Sequence, residues 1–122
     1  MPKYVTFFTY SGEAWARMVR DPADRAEAAR AAIEQIGGEL EGFYWMMGPS
    51  DGFVIYSVPD EVAAASLAAA AAGTRRITRL ETFQVLDMDE GRRALERAAE
   101  VARAYRPPGA PRDWREGYDQ LG

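Results

Sequence analysis

Arg79 and Glu81, two residues apart in the stretch RRITRLETFQVL from Arg75 to Leu86, are the pair in this chain best suited to acid–base work. Alternate residues of a strand share a face, so both would stand with Ile77, Phe83 and Val85 in apolar surroundings. Burial there raises a carboxylic acid toward neutrality, letting Glu81 accept and return a proton while the Arg79 guanidinium holds an enolate or carboxylate. The same pattern also suits an edge strand that carries charge against sheet-to-sheet aggregation. Tyr10, Tyr44 and Tyr56, with Phe8 and Trp45 beside them, offer ring area and hydroxyls for an aromatic or enolic ligand, or for a core. The catalytic candidates are thus Glu81 and Arg79, and the substrate-binding candidates Tyr10, Phe8, Tyr44, Trp45 and Tyr56.

Composition narrows the chemistry further. The 122 residues contain no His and no Cys. Imidazole dyads and triads, thiolate nucleophiles, disulfides and thiolate zinc sites are therefore excluded. Asp87, Asp89 and Glu90 have some of the look of a calcium loop, but its fifth position would be Gly91, which has no ligand atom, so capping of a helix accounts for them better. No glycine-rich phosphate loop and no serine-nucleophile elbow occurs, and neither a metal nor an organic cofactor is expected. A net charge of −4 speaks against nucleic acid as a partner. The most apolar run, VAAASLAAAAAG, falls well short of the roughly 20 residues that cross a membrane. The opening MPKYVTFFTYSGE runs into a strand-like stretch without a signal pattern, which predicts a cytoplasmic protein.

These side chains need a frame, and the hydrophobic periodicity supplies one. Tyr4–Tyr10 reads as a strand ending at Ser11, a helix cap. A long helical region follows, with Trp15, Met18 and Val19 in its first part, a kink at Pro22 where Asp21 recaps it, and a stripe of Ala26, Ala29, Ile33 and Ile36 that stops at Gly37-Gly38. A second strand from about Glu39 to Met47 and a third from Phe53 to Val58 flank the turn GPSDG, where Gly48 and Asp51 have structural roles. Asp60 caps an alanine-rich helix running to Gly73, and Arg75–Leu86 is the fourth strand. Asp87 and Glu90 open a third helix with an inward stripe of Leu95, Ala98, Ala102 and Tyr105. The expected organisation is one α+β domain over residues 1–106, then a proline-rich spacer and docking tail over residues 107–122, where Trp114, Tyr118 and Leu121 form a short apolar stripe.

The order β-α-β-β-α-β is that of a ferredoxin-like plait, an antiparallel sheet with its helices on one face. The other face should be polar where it meets water. Here Val5, Phe7, Phe53 and Ile55 oppose Tyr4, Phe8, Val54 and Tyr56, so both faces are apolar. A second copy of the chain is the expected cover, making a homodimer.

The opening MPKYV, the segment IGGELEGFYW, the hairpin MGPSDGFVIYSVPD and the acidic DMDE together resemble the GYD-domain family of small bacterial proteins, over about Met1 to Glu90. The family's Gly-x-Tyr-Asp pattern is matched at Gly48 and Asp51, with Ser50 in place of the tyrosine; the literal GYD at Gly117–Asp119 lies outside that pattern. The resemblance implies a dimeric α+β barrel and no settled reaction. Related barrel families include cofactor-free monooxygenases, cyclases and isomerases of small aromatic or polyketide-like molecules. The expectation is a homodimeric barrel that binds a small apolar or aromatic metabolite, with cofactor-independent catalysis of cyclase, isomerase or oxygenase type left open. The alternative is a non-catalytic regulatory or protein-interaction module.

Overall fold

A computed structural model describes residues 1–115, and eight elements follow one another among these described residues. In order they are β1 (Lys3–Tyr10), α1 (Gly12–Arg20), α2 (Arg25–Gln35), β2 (Glu39–Trp45), β3 (Gly52–Ser57), α3 (Glu61–Gly73), β4 (Ile77–Val85) and α4 (Met88–Ala104). They fall into two units, Met1–Val85 and the segment from Leu86 onward. In the first, the strands form one antiparallel sheet in the order β2-β3-β1-β4, the ferredoxin-like arrangement.

Local chemistry sets most boundaries. The Ser11 side chain accepts from the Ala14 amide at 3.1 Å and starts α1, and Asp60 does the same for α3 through the Ala63 amide at 2.9 Å. The helical region before β2 is two helices rather than one kinked helix, and the cap of the second is Asp24, not Asp21. Asp21, Pro22 and Ala23 form the break; proline has no N–H to donate to a continuing helical hydrogen bond, and the Asp24 carboxylate then accepts from the Ala26 amide at 2.9 Å. Gly37 ends α2 with φ +83°, a left-handed conformation suited to glycine.

Aromatic contacts sort the sheet's side chains. Tyr4, Thr6, Phe8 and Tyr10 of β1 are buried, with Val54 and Tyr56 of β3, on the face that receives Ala14 of α1, Ile33 of α2 and Ala64 of α3. All three helices of this unit lie there. The opposite face carries Phe7, Phe53, Phe83 and Tyr44, whose rings touch one another: Phe7 stands 5.8 Å from Phe53 and 6.2 Å from Phe83, and Tyr44 stacks on Phe53 at 5.2 Å. Half of Tyr44 and half of Phe83 are exposed. The two-faced character expected from the alternation is thus present.

Two bulges alter the reading of the strands. Thr9 pairs with Arg79 but Tyr10 pairs with Ile77, so Thr78 is an extra residue in β4. Simple alternation put Ile77 with Arg79 and Glu81; the bulge turns it to the helix face, where it packs on Phe8, Tyr10 and Ala14. In β2, Glu41 is the extra residue, which keeps Leu40 and Phe43 both on the helix face.

The second unit holds α4. Asp87 and Glu90 form a capping box, with Glu90 N–H donating to the Asp87 carboxylate at 2.8 Å and Asp87 N–H donating to the Glu90 carboxylate at 3.0 Å. The stripe expected to face inward does not: Leu95 is 75% exposed, Tyr105 59%, and α4 buries no residue. Of the tail stripe, Trp114 is described, with Arg115 over its ring, while Tyr118 and Leu121 lie outside the described residues.

Candidate functional site

Alanine makes the site. On the inner sides of α2 and α3 the chain places Ala28, Ala29, Ala32, Ala68, Ala70 and Ala71, opposite a sheet paved with Phe8, Tyr10, Phe43, Val54 and Tyr56. One-carbon side chains do not reach the rings below, and a cavity of about 280 Å³ remains between helix layer and sheet. Nearly all of its wall is apolar. Alanine favours helix anywhere; the signal for a cavity was that, Ile33 and Leu67 apart, the residues these two helices turn to it are alanines or Arg25.

The polar atoms in this cavity are few and ordered. The Tyr56 hydroxyl, fully buried, shares a hydrogen bond with Thr6 Oγ1 at 2.9 Å, and Thr6 Oγ1 shares another with Thr82 Oγ1 at 2.9 Å. This row of three hydroxyls crosses the sheet from β3 through β1 to β4; Tyr56 and Thr6 line the cavity, and each can turn donor or acceptor toward a guest.

At the end of β1, Tyr10 anchors an aromatic cluster. Its ring meets Phe8 edge-on at 5.2 Å and Trp15 at 5.7 Å, with Trp45 at 5.8 Å, and the two indoles stack at 5.4 Å. Asp51 holds the cluster: its Oδ2 accepts from the Tyr10 backbone N–H at 2.9 Å and from Trp15 Nε1 at 3.2 Å, and its own N–H donates to the Phe8 carbonyl at 2.8 Å. The hairpin aspartate thereby ties β3 to both β1 and α1. Burial raises the Tyr10 phenol above its ordinary value, the Asp51 charge adds to that, and a hydrogen bond from Arg25 and its positive charge oppose it. Arg25, the first residue of α2, lines the same cavity.

The sequence candidates divide between the two faces. Phe8, Tyr10 and Tyr56 line the cavity, and Trp45 reaches its margin through Tyr10. Tyr44 is on the opposite face with Phe53. Arg79 and Glu81 are also on that face: they form an ion pair at 2.9 Å, both side chains partly exposed, and Glu81 pairs across the ladder with Phe7. The sheet therefore lies between this pair and Tyr10 and Tyr56, and neither Arg79 nor Glu81 lines the cavity that the two tyrosines share. Sequence reasoning missed Thr6, Arg25 and the alanines. Thr6 could have been found as the one polar residue on an otherwise aromatic inward set of β1; Arg25 had no signal, since only the turn of α2 brings it to the cavity.

Among the described residues, no group of three Asp and Glu side chains is placed to hold a metal ion, and no helix is long and apolar enough to cross a membrane. A family model described as the GYD domain matches residues 4–95. Among solved structures, a crystal structure of a mutant of MhuD, with two manganese protoporphyrin IX molecules bound per active site, is similar at 18% identity and a TM-score of 0.41, covering 72% of this chain and 95% of that one. Among curated proteins none matches.

Proposed function

The chain belongs to the GYD-domain family, and from that premise and the cavity we propose that it is a homodimeric barrel protein that binds a small, largely apolar organic molecule between its sheet and its helices. The observation that carries this reading is the cavity itself: about 280 Å³, walled by alanines and aromatic rings, with hydroxyls of Thr6 and Tyr56 on its floor. Binding sites have this character, an apolar wall with a few placed polar groups. An apolar cavity of about 150 Å³ accepts a benzene ring, so this one suits a guest of about two fused rings.

The partner subunit covers the other face of the sheet. Phe7, Phe53, Phe83 and Tyr44 form a continuous aromatic surface there, and a second copy apposed on it closes two sheets into a barrel. Arg79 and Glu81 then lie inside the dimer interface. What supports binding rather than acid–base turnover by Glu81 is the thickness of the sheet between that carboxylate and the cavity.

Filling the cavity tests the reading. Ala29→Phe places a ring where the guest would sit, at a position already partly exposed. Titration calorimetry with bicyclic aromatic compounds should show binding to the wild type and none to the variant, with circular dichroism unchanged. Equal binding by both proteins would remove the cavity from consideration.

A further inference from the structure

A second cavity, of about 580 Å³, adjoins the first, and the two share Tyr10, Arg25, Ala71 and Ile77 in their walls. Their characters differ. The first is almost wholly apolar; the second carries Arg17, Arg20, Arg25 and Arg76 against one carboxylate, Asp21. Glu13 engages two of these arginines, Arg17 at 3.1 Å and Arg76 at 3.8 Å. Arg20 and Arg25 have no ion-pair partner among the described residues. The other nearby carboxylate, Asp51, is already bonded to the Tyr10 amide and the Trp15 indole.

Arg25 is partly buried at this junction, where it and the neutral phenol Tyr10 stand in the walls of both cavities. A guanidinium carries five donors in a planar fork suited to two oxygens of an anion. No ion pair among the described residues takes up that fork, and it stands where an apolar chamber adjoins a basic one.

We propose that the ligand is amphipathic, an apolar body of about two rings bearing one carboxylate, and that Arg25 receives the carboxylate at the junction while the body lies over Thr6 and Tyr56. The inference rests on the binding reading above and specifies its ligand class. Arg20, in the second cavity, adds longer-range attraction without contact.

The test compares naphthoate with the uncharged naphthamide, equal in size, by titration calorimetry against the wild type, Arg25→Gln and Arg25→Lys. A charge-assisted pair at a partly buried site predicts naphthoate binding about tenfold or more tighter than naphthamide. In Arg25→Gln the ratio of naphthoate to naphthamide affinity should fall to about one; Arg25→Lys should recover part of it, since it restores charge but not the fork. Raising the salt concentration on the wild type should weaken naphthoate alone, a measurement that needs no variant to fold. Equal affinity of the two compounds for the wild type, or an advantage that survives Arg25→Gln, would overturn the anionic-ligand proposal and leave the apolar cavity reading in place. Binding of neither compound would overturn both.

Discussion

Tyr10 joins three features of the site: it walls both cavities, accepts support from Arg25, and packs in the aromatic cluster that Asp51 ties together. Its raised pKa sets a sign for alkaline stability. An unfolded tyrosine ionises near pH 10; the folded one resists ionisation because burial disfavours the phenolate. The neutral phenol's contribution is therefore fully present below about pH 10 and is lost as pH rises through the higher folded value. Tyr4, raised in the same direction mainly by burial, adds to the same fall. Urea melts between about pH 9 and about pH 11 should show the wild type losing stability with pH, and Tyr10→Phe losing less over the same interval. A variant that tracks the wild type throughout would place the alkaline loss elsewhere. At neutral pH the phenol stays protonated, so toward a bound anion it acts as a donor beside Arg25.

Elements position these side chains through close contacts at their ends. Gly38, between α2 and β2, is the tightest. A Cβ there would meet the Ser57 carbonyl oxygen, Val58 Cγ1 at 2.8 Å and Ile33 Cγ2 at 2.9 Å, two of the three atoms belonging to fully buried core residues. Its N–H also donates to the Ile33 carbonyl at 2.9 Å, closing α2 onto the sheet. Gly38→Ala should cost about 1–3 kcal/mol, the usual penalty for overpacking a core that cannot give way, whereas Gly12→Ala, whose Cβ meets nothing within 4 Å, is the control. Denaturant midpoints of the two variants decide it: similar values would mean that α2 shifts freely over β3. The element boundaries were largely legible, because caps and turns are local chemistry. Ser11, Asp60 and Asp87 cap as their spacing suggests. Asp21 failed where Asp24 succeeded, since either carboxylate satisfies the pattern and only the path of the chain after Pro22 selects one.

At the scale of the whole molecule the open aromatic face is the feature that demands a partner. Phe83 is half exposed, touches Phe7 and follows the Arg79–Glu81 pair along β4. Phe83→Asp would place a carboxylate at the centre of the proposed sheet-to-sheet contact, close to Glu81, and again in the partner by symmetry. Sedimentation at dilute concentration should return twice the chain mass for the wild type and a shift toward monomer for the variant, with dimer affinity weakened by at least about thirtyfold, the scale of a central aromatic anchor. A wild type that sediments as a monomer would leave the aromatic face to some other cover and remove the barrel. Glu81→Gln offers a companion reading: it should leave cavity binding of naphthamide unchanged, because the sheet separates the two.

The amino-acid order by itself determined the sequence of elements, the antiparallel plait and the presence of two apolar faces, because periodicity, caps and turns depend on neighbours along the chain. Of the five binding candidates it offered, Tyr10, Phe8, Tyr44, Trp45 and Tyr56, three line one cavity, since alternation along a strand keeps Phe8 and Tyr10 on the face of Tyr56. What only the tertiary structure decided was which residues share a space. A single extra residue, Thr78, moved Ile77 across the sheet. The standoff between alanine-lined helices and aromatic strands set the volume of a cavity that the alanines only hint at, and the rotation of α2 brought Arg25 to it. Arg79 and Glu81 alternate with Phe83, yet lie one sheet's thickness from Tyr10 and Tyr56, with only Tyr44 of the candidate tyrosines on their face. Face assignment between distant strands depends on register, and void volume depends on the distance between layers; both are set by packing across the core rather than by spacing along the chain.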